Sequence, residues 1–84
     1  MLNITPICKR FNKLPAHFRD NFEDKSGFGY ETVGRTQHTT IDDKLIPDFL
    51  LWLSNGAKGC KEIRQMLARQ GIEKTLEFAR RYKK

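Results

Sequence analysis

Three groups of polar side chains carry the chemistry this sequence offers. Lys9, Arg10 and Lys13 lie in a stretch, residues 1–14, that contains no acid. Cations grouped in this way suit phosphate contacts, which need charge and tolerate loose geometry. His17, Arg19 and Asn21 alternate with the aromatic Phe18 and Phe22. Arg and Asn are the residue types that pair with guanine and adenine edges, so this set is a candidate for base readout; the alternative is a solvated helix face. Arg35 follows Gly34, with Gln37 and several threonines just beyond. A long cation at a glycine turn can enter a minor groove while its neighbours bond phosphates; the alternative is an ordinary exposed turn arginine.

Other chemistries find less support. Cys8 with His17 or His38 can be written as a nucleophile and base, but both cysteines fall at apolar helix positions, where buried thiols are inert. No Gly-x-Ser-x-Gly, Walker or paired-carboxylate pattern occurs. Cys8, His17, His38 and Cys60 lack zinc-finger spacing, and Asp42-Asp43 reads as a helix start before it reads as a metal site. The sequence predicts no enzyme, no cofactor and no metal.

The chain has 84 residues, enough for a single domain with one small core. Its net charge of +6 is unevenly spread: the first fourteen residues carry three bases without an acid, and residues 56–84 carry nine bases against three acids. Between them the chain is mildly acidic. Two basic ends suit a polyanionic partner, because each neutralised phosphate releases a condensed counterion. No run approaches eighteen apolar residues, so no membrane-spanning helix and no membrane partner are expected. The first residues lack the basic start of a signal peptide. Two distant cysteines read as free thiols in a reducing compartment, and the expected location is cytoplasmic.

The elements that must position these groups follow from periodicity and breakers. Thr5-Pro6 starts a short helix through Phe11, with Thr5 as its cap. Pro15 opens a second helix running to about Phe22, with Phe18 and Phe22 on one face, against Ile4, Ile7, Phe11 and Leu14. Residues 24–29 read as loop. Tyr30–Val33 and Thr36–Ile41, joined by Gly34-Arg35, read as a β-hairpin. From Asp42-Asp43, Leu45, Ile46, Phe49, Leu50, Trp52 and Leu53 mark a helix buried on most sides, with Pro47 in its first turn or at its true start. Ser54-Asn55-Gly56 ends it. Cys60, Ile63 and Leu67 pattern a helix over about 57–70, with Met66 packing beside them. Gly71 breaks it, and Ile72, Leu76, Ala79 and Tyr82 line a last helix. The expected fold is α+β: a helix-turn-helix-like pair, a hairpin wing, a buried central helix and two C-terminal helices.

Three blocks of sequence carry a family likeness. Asn3-Ile4-Thr5-Pro6-Ile7-Cys8-Lys9-Arg10-Phe11-Asn12-Lys13 resembles the opening of KilA-N domains, in which an asparagine-hydrophobe-Thr run leads into a short helix and a Lys. Glu31-Thr32-Val33-Gly34-Arg35 resembles their central segment with its glycine-arginine turn. Thr40-Ile41 and Leu45…Phe49-Leu50-Leu51-Trp52-Leu53-Ser54 resemble their closing helix. The likeness spans about residues 3–54 and leaves 55–84 as a helical extension within one domain. It implies a double-stranded DNA-binding domain of bacteriophages and large DNA viruses, related to fungal APSES domains and often regulatory. A phage-encoded protein of this kind would work in the bacterial cytoplasm or nucleoid. The DNA contacts would come from Lys9, Arg10, Lys13, His17, Arg19, Asn21, Arg35 and Gln37.

Two other partner classes stay open. A small phage interaction module, an antirepressor or host-factor inhibitor, would use the C-terminal helices to meet a regulatory protein or a second copy. RNA binding through the same basic ends lacks an aromatic platform.

Overall fold

A three-stranded antiparallel sheet in the order β1-β3-β2 stands at one side of the fold. The computed structural model describes residues 1–55 and 60–82. The elements are β1 (Leu2–Asn3), α1 (Thr5–Arg10), α2 (Pro15–Arg19), β2 (Phe28–Val33), β3 (Thr36–Ile41), a 3-10 turn (Asp43–Leu45), α3 (Ile46–Leu53) and α4 (Cys60–Arg81). The chain is α+β. One core, with Ile4, Phe18, Ile41, Phe49, Leu50, Leu53 and Ile63 fully buried, draws on both ends of the sequence.

Strand β1 is absent from the sequence expectations. It is two residues long and pairs Leu2 with Ile41 and Asn3 with Thr40, so its only signal lies almost forty residues away. The same edge continues into α1. Ile4 donates its amide to the Thr39 carbonyl, and the Thr39 amide donates to Thr5 Oγ1 at 2.8 Å. This corrects the role expected of Thr5. Ile4 is the N-cap residue, the amide of Thr5 is taken by Asn3 Oδ1 at 3.1 Å, and the Thr5 hydroxyl serves the sheet.

Helix α1 closes in a Schellman motif. Asn12 adopts a left-handed conformation with φ of 57°, the Asn12 amide reaches the Lys9 carbonyl, and the Lys13 amide reaches the Cys8 carbonyl. Leu14 then runs extended into Pro15 and is 59% exposed, so it does not join the apolar face expected of it. Helix α2 stops at Arg19 rather than Phe22. The Lys25 ammonium donates to the carbonyls of Arg19 and Phe22, serving groups that a helix end leaves open.

Phe28 and Gly29, expected in a loop, begin β2 because Phe28 is held on the core by Phe18 and Phe22, with ring centroids 5.8 and 5.4 Å away. The hairpin turns at Gly34-Arg35, with Val33 opposite Thr36. Gly34 has φ of 64° while Arg35 does not turn positive, the sign pattern of a type II′ turn.

Asp42 caps the 3-10 turn by accepting the Lys44 amide, so the helix expected from Asp42 becomes α-helical only at Ile46, with Pro47 in its first turn. Phe49, Leu50 and Leu53 are buried, and half-buried Trp52 leans on Phe18 and Phe49 at 5.4 and 5.9 Å. Gly71, with φ of 85°, breaks α4 into two helical halves as expected. Cys60, Ile63, Thr75 and Ala79 are its buried positions, with Leu67, Leu76 and Tyr82 half-buried beside them; Ile72 is 43% exposed and not on that face. Residues 57–59, at the expected start of this helix, lie outside the described residues, as do Gly56, Lys83 and Lys84.

Candidate nucleic-acid interface

The eight candidate residues divide into those free to meet a partner and those engaged within the chain. Lys9 and Arg10 form the exposed last turn of α1. Among the described residues, their side chains make no hydrogen bond or ion pair. Cations at a helix C-terminus also complement the dipole, so the sequence can place them there at no cost to the helix.

Lys13 is different. Its ammonium lies 4.5 Å from the centre of the Trp52 ring and donates to the carbonyls of Trp52 and Asn55. It caps α3 rather than waiting for a phosphate. Arg19 is likewise half-buried, its guanidinium 5.9 Å from the Tyr30 ring centre and its Nε buried without a partner among the described residues.

His17 is exposed in the middle of α2, and Asn21 is exposed in the turn that follows it. Asn21 donates from its amide nitrogen to the His17 carbonyl at 3.0 Å. Pairing with adenine requires both the amide nitrogen and Oδ1. One of the two N–H donors of that nitrogen is engaged by His17, and α2 offers only five residues to a groove.

The hairpin carries Arg35 and Gln37. Residues 31–37 are exposed on both faces, so the outer half of the hairpin projects beyond the core. Arg35 sits at the turn, and Gln37 faces Thr32 across the strands. Nothing within the described residues holds either side chain. His38, one pair further in, is half-buried, and its Nδ1 accepts from Asn3 Nδ2 at 2.8 Å, so it belongs to the sheet edge.

Sequence reasoning had no means to separate Lys13 from Lys9, because the partners of Lys13 lie about forty residues on. Cys8 is fully buried, and loss of solvent pushes its thiol up from 9.0 to about 12, far from a reactive thiolate. No group of three His, Cys, Asp or Glu side chains able to hold a metal forms among the described residues. No described helix is long and apolar enough to cross a membrane. Comparison with known proteins finds no matching family model, no similar curated protein and no similar solved structure.

Proposed function

We propose that this protein binds double-stranded DNA mainly through its phosphate backbone, as a KilA-N-like domain of phage or viral regulatory type. The observation that carries the reading is the outer hairpin, exposed on both faces with unpartnered Arg35 at its turn. A projecting, mostly polar ribbon adds little to the core, and its Arg35, unpaired among the described residues, is available to a phosphate or groove. Lys9 and Arg10 at the end of α1 hold phosphates, and Arg35 enters a groove with Gln37 beside it. His17 from α2 and Asn21 from the turn after it approach the bases. Lys13 and Arg19 act by fixing these elements. With α2 only five residues long and Asn21 beyond its end, binding is weakly sequence-selective. The site works inside the cell that holds the DNA, without catalysis.

The protein-interaction reading draws less support. It calls for apolar surface left over on the C-terminal helices, and Ile72 is the large hydrophobic exposed on α4 among the described residues.

Duplex titrations at several salt concentrations test the proposal. Arg35→Ala and the pair Lys9→Ala/Arg10→Ala each weaken binding, and each lost phosphate contact flattens the dependence of log K on log salt by about 0.9. Unchanged affinity and slope in both variants would overturn it. A parallel competition with RNA duplex distinguishes DNA from RNA.

A further inference from the structure

The C-terminal bases match no motif, yet one of them stands beside α1. A cleft of about 460 Å³ opens where the N-terminal strand, α1, β2 and the end of α4 meet, and its charged wall is Arg10, Arg80 and Glu31. The position of Arg80 is fixed from both sides. Ala79 before it is fully buried, and Tyr82 after it stacks on Phe11 with ring centroids 4.5 Å apart and planes within 15°.

The guanidiniums of Arg10 and Arg80 make no hydrogen bond or ion pair among the described residues, whereas neighbouring Arg81 pairs with Glu77 at 3.2 Å. The amino group of Met1, on the same cleft, is paired with Asp43 at 3.5 Å. Two guanidiniums unpaired among the described residues and one carboxylate therefore line the same cleft. Like charges placed on one wall repel, and an anion between them removes that repulsion. Guanidinium geometry matches phosphate oxygens two at a time.

We propose that Arg10 and Arg80 hold one backbone phosphate of duplex DNA between them, which makes the end of α4 part of the same binding surface as α1. This rests on the DNA-binding reading above. Glu31 in the same wall tunes the ligand: a singly charged phosphodiester meets less repulsion there than a free phosphate dianion.

The test uses the full chain, a short random-sequence duplex and salt from about 50 to about 200 mM. Arg80→Ala lowers affinity about fivefold at the low end and flattens the salt slope by about 0.9. Arg81→Ala, already paired with Glu77, changes both less. Glu31→Gln raises affinity, an effect that a purely structural role for Arg80 does not produce. If Arg80→Ala and Glu31→Gln leave binding unchanged while Lys9→Ala and Arg35→Ala weaken it, the clamp is overturned and the DNA reading stands. If none of these variants changes binding, both fall. The Nε resonances of Arg10 and Arg80, followed during titration with duplex and with inorganic phosphate, separate the two anions. Movement with inorganic phosphate alone overturns the clamp.

Discussion

Lys13 and Trp52 meet twice: the ammonium lies 4.5 Å from the centre of the indole ring and donates to the carbonyl of the same residue at 3.4 Å. The connector after α1 is thereby fastened to the end of α3, where unpaired carbonyls and the helix dipole both favour a cation. Lys13→Met keeps the aliphatic stem and removes the charge. It should lower stability by about 1–2 kcal/mol in urea unfolding. Its effect on the salt slope of DNA binding should be smaller than that of Lys9→Ala. An equal loss of slope would return Lys13 to the phosphate contacts.

Burial of Cys8 has a consequence in alkali. Its thiol is raised from 9.0 to about 12 by loss of solvent, so the folded chain keeps a proton that the unfolded chain releases. Stability from this group is full below pH 9 and falls as pH rises toward 12, by roughly 1 kcal/mol per pH unit. Denaturant midpoints measured from pH 8 to pH 11 should show the decline, and Cys8→Ala should flatten it. A thiol reagent at neutral pH should modify Cys8 only as fast as the protein unfolds.

Thr5→Val removes the oxygen that accepts the Thr39 amide while keeping the shape of the side chain. The amide sits on a half-buried edge and loses its partner, so stability should drop by about 1–3 kcal/mol. Hydrogen exchange at the Thr39 amide should speed up more than exchange in α4. Equal acceleration throughout would mean that Thr5 matters only to global stability.

Gly71 has φ of 85° and ψ of −178°, a region that side chains rarely enter, although no atom lies within 4 Å of where a Cβ would stand. Gly71→Ala therefore tests backbone conformation alone and should cost about 1–3 kcal/mol in thermal unfolding. A variant as stable as the parent would show that α4 can straighten across this point without loss.

Local signals predicted much of this architecture. Pro6 and Pro15 mark helix starts, Gly34-Arg35 is the hairpin turn, and Gly71 is the break in the last helix. What escaped are features whose cause is distant. Leu2 and Asn3 become a strand because residues 40 and 41 present an open edge. Phe28 enters β2 because Phe18 and Phe22 hold its ring. Leu14 looks like core in a periodic reading but stands in the extended residue before Pro15. The candidate site shows the same division. Arg35 could be placed from its glycine neighbour, whereas the engagement of Lys13 and Arg19 depends on aromatic rings contributed by other elements.

The stack of Tyr82 on Phe11 also sets an order of events during synthesis. Phe11 is 2% exposed in the finished fold, yet the ring that stacks on it is made about seventy residues later. Until Tyr82 emerges, the face of Phe11 that its ring covers stays open. A chain made only as far as α3 would carry its hairpin while the side of Phe11 that Tyr82 covers stayed bare.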